Sequence, residues 1–126
     1  MNSRKTFLIG ATFGLLGVAL GAFGAHALKP MLVETGRVDT FELAVRYQFY
    51  HALAILLTGV LQHLFRASLF AYASWLFLAG VVLFSGSLYL LCFSQVTTFA
   101  MITPVGGVAW IAGWLCLLIG IYKSVK

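Results

Sequence analysis

The chain has 126 residues, of which 62% are hydrophobic and only 9% carry a charge. Soluble domains contain roughly 25% charged residues, so this composition excludes a water-soluble enzyme, a disordered chain and a disulfide scaffold. What remains is an all-α integral membrane protein. Four membrane helices of about 20 residues each leave no room for a soluble domain, so we expect one transmembrane domain over residues 1–126.

The first predicted span covers residues 7–28 and follows two basic residues, Arg4 and Lys5. A secretory signal peptide is the alternative, because Ala25-His26-Ala27 has the small-x-small form of a cleavage site. The apolar run is longer than the hydrophobic region of an ordinary signal peptide, which favours a retained helix.

A polar outer segment, residues 29–44, follows this span and holds all three acidic residues. Pro30 is expected to end the first helix, and Gly36 suits a turn. Asp39 and Glu42 have the spacing of a capping box. The second helix should therefore begin near Asp39, with its span at residues 45–65.

The third and fourth predicted spans are residues 69–93 and 102–122, joined by an uncharged connection over residues 94–102. Thr103-Pro104 resembles an N-cap followed by proline at the first helical position. A helix that begins at Thr98 and bends near Pro104 is the alternative.

The basic residues are divided unequally between the two sides of these spans. Five lie on the side of the termini (Arg4, Lys5, Arg66, Lys123 and Lys126) and three on the other side (Lys29, Arg37 and Arg46). The positive-inside rule then predicts that both termini are cytoplasmic. Lipid headgroups explain the net charge of +5 better than nucleic acid, for which there is no basic stripe.

Glycine stripes mark two of the helices. Small residues allow close approach of membrane helices, since lipid provides no hydrophobic drive between them. We read the stripes as seams of a compact four-helix bundle; contact between copies of the chain is the alternative. The stripe glycines are Gly10, Gly14, Gly17, Gly21 and Gly24 in the first helix and Gly106, Gly113 and Gly120 in the fourth.

The second helix has a polar stripe that includes Gln48 and His51, which should face protein rather than lipid. The stripe serves either interhelical hydrogen bonding or a polar pathway or ligand site. Another face carries Glu42, Arg46 and Tyr50, four residues apart. That spacing suits an ion pair, and recognition of an anionic headgroup or a carboxylate by Arg46 is the functional alternative.

His26 and His51 are both placed near the outer helix ends, at similar depth. Such a pair is able to hold a haem, or to join Met31 at a copper site, but neither histidine has a diagnostic spacing. We therefore predict no metal and no cofactor, and two free thiols at Cys92 and Cys116. No catalytic motif is present, so a non-enzymatic protein is expected.

Two blocks carry a resemblance to a known family. The runs Gly21-Ala-Phe-Gly-Ala-His-Ala-Leu-Lys29 and Phe41-Glu-Leu-Ala-Val-Arg-Tyr-Gln-Phe-Tyr-His-Ala-Leu-Ala54 resemble the YgdD/YwdK-like family of small bacterial membrane proteins of unknown function. Leu43 departs from the threonine usual in that family. The resemblance covers almost the whole chain and implies a retained first helix and a location in the bacterial plasma membrane. It implies no reaction.

The leading functional hypothesis is a non-enzymatic subunit, either of a homo-oligomer or of a larger membrane complex. Binding of an outer-leaflet lipid or quinone-like ligand by Arg46 and His51 is the first alternative. Transport of a small solute or ion along the polar stripe is the second. The predicted ligand or polar-network residues are His26, Glu42, Arg46, Gln48, Tyr50 and His51.

Overall fold

The computed structural model describes residues 1–125, and every regular element in that range is helical. The apolar sequence has little alternative, because a segment in lipid must satisfy its backbone hydrogen bonds internally. The elements are α1 (Ser3–Ala25), α2 (Lys29–Glu34), α3 (Val38–Leu64), α4 (Ser68–Gly80), a π-helical turn (Val81–Ser85), α5 (Gly86–Ser94), a 3₁₀ turn (Thr97–Met101) and α6 (Thr103–Ser124).

Three helical stretches are long and apolar enough to cross a membrane: Ser3–Ala25, Ser68–Ser94 and Thr97–Ser124. The second runs through α4, the π turn and α5 and is called the α4–α5 helix below. Helix α3 is also 27 residues long. It is less apolar because it carries the polar stripe, and Gln48 and His51 of that stripe are buried inside the bundle.

The polar outer segment contains a helix that the sequence did not predict. Helix α1 already ends at Ala25, and Pro30 lies in the first turn of α2. The expectation that Pro30 ends the first helix is therefore wrong, because proline is well tolerated where its missing N–H would have no helical partner. Gly36 adopts φ 67°, a conformation that glycine accepts readily.

The helix starts also differ from the predicted caps. Helix α3 begins at Val38 with Arg37 at the cap position and no side-chain capping bond, so the predicted capping box of Asp39 and Glu42 is wrong. Helix α6 begins at Thr103 itself, again without a side-chain cap. The Thr103 hydroxyl instead lies 2.7 Å from that of Ser87 on α5, so it connects two helices.

Helices α6 and α4–α5 are antiparallel, and large rings fit against the backbone of small residues at regular intervals. A Cβ atom built on Gly120 would lie 2.7 Å from Phe70, and one built on Gly113 would lie 2.8 Å from Phe77. One step further along both helices, a Cβ on Gly106 would collide with the backbone of Phe84. Each step of seven residues towards the start of α6 thus matches a step of seven residues towards the end of the α4–α5 helix. This is the spacing of a heptad repeat.

Helices α1 and α3 form a second antiparallel pair of the same kind. Gly10 packs against Leu56, Gly17 against Phe49, and Gly24 against Phe41. Gly59 of α3 returns the contact by receiving the ring of Phe7. Gly14 differs from the other stripe glycines, since no atom of a neighbouring helix lies within 4 Å of a Cβ built there.

The two pairs pack on each other around an aromatic core. Phe70, Phe77 and Ile55 are all fully buried in it. Ser85 of the π turn donates a buried hydrogen bond of 2.8 Å to the carbonyl oxygen of Ala44. The π turn thereby joins the α4–α5 helix to α3.

Gly24→Ala should destabilise the bundle, whereas Gly14→Ala should not. The new Cβ at Gly24 would lie 2.5 Å from the ring of Phe41, a side chain with 1% exposure and no room to move. Overpacking of this kind costs about 1–3 kcal/mol. Thermal unfolding in mild detergent measures the difference, and equal loss in the two variants would contradict the proposed contact.

Candidate functional site

The six predicted site residues do not form one cluster. Gln48 and His51 are buried at 2% and 5% exposure. His26, Glu42, Arg46 and Tyr50 are exposed. The structure thus separates an interior polar network, which holds Gln48 and His51, from an outer exposed surface.

The outer surface is open to the surroundings. Glu42, Arg46 and Tyr50 follow one another at intervals of one helical turn on the exposed side of α3. The ring of Tyr50 contacts that of Tyr47 edge to face at 5.7 Å. An ion pair between exposed Glu42 and Arg46 stays a prediction, and such pairs contribute only about 0–1 kcal/mol.

His26 and His51 lie at different depths, contrary to the sequence-based expectation. The packing of Gly24 on Phe41 and of Gly17 on Phe49 places His26 beside the start of α3. His51 lies deeper, beside the middle of α1. The offset is about 11 residues, or roughly 16 Å, so these two side chains are not placed to share one ligand.

Gln48 connects three helices. Its Nε2 donates to the carbonyl oxygen of Phe13 on α1 at 2.9 Å, and its Oε1 accepts from the Tyr89 hydroxyl on α5 at 2.7 Å. Both ends of the amide are therefore engaged. Buried polar groups in a membrane interior require such partners, and this set holds α1 against α5 through α3.

His51 sits in an aromatic box on the other side of α3. Its ring stacks on that of Trp110, with the ring centroids 3.7 Å apart and an angle of 1° between the ring planes. The indole N–H of Trp114 donates to Nε2 at 3.2 Å, and Nδ1 lies 2.9 Å from the carbonyl oxygen of Tyr47. Since indole is only a donor, Nε2 accepts and the proton belongs on Nδ1, which defines a neutral tautomer.

A third polar contact lies near the other end of α3. The hydroxyl of Thr6 donates to Gln62 Oε1 at 2.9 Å, and Gln62 Nε2 donates to Ser74 at 2.9 Å. The chain Thr6–Gln62–Ser74 therefore joins α1, α3 and α4. Within residues 1–125, no buried side-chain nitrogen or oxygen lacks a partner.

Several members of this network were not predicted from the sequence. Tyr89 and Ser74 are polar groups inside an apolar run, which was the available signal. Trp110 and Trp114 lie one turn apart on α6, a spacing equally consistent with an ordinary packing stripe. Their roles depend on which helix faces α3, and no local pattern reports that.

The described residues offer no group of three or more histidine, cysteine or acidic side chains placed to hold a metal. Both cysteines are free thiols, Cys92 buried and Cys116 half-buried. The engaged nitrogens of His51 also leave no lone pair for a metal unless the bond from Trp114 is broken.

Comparison with known proteins gives the family. The sequence model of the family described as "Protein of unknown function (DUF423)" matches residues 20–107 of this chain. That range includes both sequence blocks and the network residues Gln48, His51 and Tyr89. The chain belongs to this family. The resemblance read from the two blocks is thereby confirmed.

Similar proteins extend the match to nearly the whole chain. The UPF0382 membrane protein SH2409 of Staphylococcus haemolyticus is 43% identical over 122 residues, covering 96% of this chain and 98% of its own. The UPF0382 inner membrane protein YgdD of Escherichia coli K12 is 46% identical over 123 residues, covering 95% and 91%. No solved structure matches.

These names describe membrane proteins, and YgdD is named an inner membrane protein. Together with the helices long enough to cross a bilayer, they confirm the predicted location in the bacterial plasma membrane. The family description names no reaction.

Replacing Gln48 by leucine should lower stability by about 1–2 kcal/mol, the cost of lost interhelical hydrogen bonds in a membrane. Tyr89→Phe removes only the hydroxyl of the same contact. The second change should cost less in the Gln48→Leu background than in the native chain, because the partner is already gone. Denaturant titration of the four proteins tests this, and strictly additive effects would refute the coupling.

Proposed function

We propose that this DUF423 protein is a non-enzymatic subunit that crosses the membrane four times and assembles through the outer surface of α1. The assembly is a homo-oligomer or a larger membrane complex. The observation that carries the proposal is the exposure of α1. In an apolar stretch of 18 residues in α1, only 17% is buried. The corresponding share is 44% in the α4–α5 helix and 28% in Thr97–Ser124.

The packing of α1 supports an external partner. Four of its five stripe glycines, all except Gly14, are directed at α3. The exposed side of α1 includes Leu15 at 71% exposure and Val18 at 61%. Gly14 lies beside this face, and no neighbouring atom lies within 4 Å of a Cβ built there. Small residues allow close helix–helix approach in lipid, so a second helix would fit here without displacing a side chain of α1.

The proposal of four spans rests on the position of α3. It packs antiparallel to α1 from Leu56 to Phe41, which is most of the length of a helix long enough to span. The polar side chains in the middle and second half of its stripe, Gln48, His51, Thr58 and Gln62, are hydrogen-bonded inside the bundle. The exposed residues Glu42, Arg46 and Tyr50 lie nearer its start. Both termini then lie on one side, with Arg66, and the polar outer segment lies on the other.

The internal partners of the polar stripe favour a structural role over transport. Gln48, His51 and Gln62 are all bonded to neighbouring helices, and Thr58 donates to the Ala54 carbonyl at 2.7 Å. A transport pathway needs polar groups that exchange partners with a solute. The outer-leaflet ligand hypothesis is weakened in the same way, since His51 is buried while Arg46 is exposed.

Cross-linking tests the assembly surface. In a background with Cys92 and Cys116 replaced by alanine, Leu15→Cys should form disulfide-linked or maleimide-linked dimers or larger adducts in native membranes. Ile111→Cys is the matched control, because Leu15 and Ile111 are both 71% exposed but lie on different helices. Equal yields from both positions, with only monomer in native mass spectrometry, would refute the proposal.

Impermeant maleimide labelling of intact cells tests the four spans. In the same background, Glu34→Cys should react from outside, whereas Arg66→Cys should react only after lysis. The reason is that α3 separates these two exposed positions by its whole length. Labelling of both residues from the same side would show that α3 does not cross the membrane.

A further inference from the structure

A recess of about 390 Å³ opens between the start of α1 and the turn from α3 to α4. Polar side chains line one part of it: Asn2, Ser3, Gln62, Arg66 and Ser68. It lies at the ends of three helices, which is the depth of lipid headgroups for helices that cross the membrane.

The charge around this recess is positive. Arg66 lines it, and Arg4 and Lys5 follow in the first turn of α1. The three acidic residues of the chain all lie between Glu34 and Glu42, near the opposite end of α3. Glu42 and Arg66 are separated by about 36 Å along the axis of α3. This distance is several times the roughly 8–10 Å over which salt screens charge.

Residues with hydrogen-bond donors also line the recess. Helix α4 begins at Ser68, which lines the recess, and its first turn has no side-chain cap. The N–H of Phe70 in that turn donates to the carbonyl oxygen of Ala67 at 3.3 Å. The amide of Gln62 is held by Thr6 and Ser74, and it uses one of its two N–H donors on Ser74. These donors add to the charge of Arg66 and do not by themselves define the site.

The remaining lining is apolar and includes Phe65 and Ala71. A recess with a cationic polar part and an apolar part matches a lipid better than a free ion. We propose that it binds the phosphate group of an anionic lipid headgroup. This site is independent of the assembly surface on α1 and lies at the opposite end of the bundle from the outer surface of Arg46 and Tyr50.

Native mass spectrometry in mild detergent tests the site with phosphatidylglycerol as the probe and phosphatidylcholine as the zwitterionic comparison. The native chain should retain more phosphatidylglycerol. Arg66→Gln should reduce that retention about fivefold, as expected for one basic residue at an anionic surface. Lys123→Gln is the matched control, since Lys123 is an exposed base at the same end but does not line the recess.

Ser68→Asp separates binding from folding. A carboxylate in the first turn of α4 should stabilise that helix while it occupies and repels the phosphate position, so phosphatidylglycerol should be lost without a fall in the melting temperature. Equal retention of both lipids, or equal effects of Arg66→Gln and Lys123→Gln, would overturn the proposal. Displacement of the lipid by millimolar inorganic phosphate would overturn the lipid assignment and indicate free phosphate as the ligand.

Discussion

Close approach of helix backbones is the constraint on which the rest of this structure depends. Lipid is as apolar as leucine, so burial of apolar side chains gives membrane helices little reason to associate, and van der Waals packing must replace it. The chain achieves this packing by placing rings against glycines. Phe41 on Gly24 and Phe77 on Gly113 are two instances of one arrangement, which recurs along both antiparallel pairs.

Hydrogen bonds then fix which pairs meet. Glycine–aromatic contacts that repeat every seven residues would also form if one helix slid along the other by a whole repeat. A hydrogen bond such as that from Tyr89 to Gln48 forms in one register only. Polar contacts lie at three levels along α3, at Gln48, His51 and Gln62. Each connects α3 to a different set of helices, which accounts for the lower hydropathy of α3 and for its place in the interior of the bundle.

The surface of the bundle divides into parts with different consequences. The exposed face of α1 supports the proposed assembly, and the recess beside Arg66 supports the proposed lipid site. The exposed surface of Glu42, Arg46 and Tyr50 belongs to neither of these two parts. Membership in DUF423 fixes the protein class and leaves the biochemical role to the tests above.

The sequence by itself determined the protein class, the all-helical fold and the glycine stripes, because composition and helical periodicity are local properties of the chain. It also indicated that Gln48 and His51 face protein. Only the tertiary structure decided the partners: Trp114 for His51, Tyr89 for Gln48, and Ser87 for Thr103, which the sequence had assigned to a helix cap. These contacts join residues 16 to 63 positions apart, and their choice depends on helix rotation and register, which are set by packing.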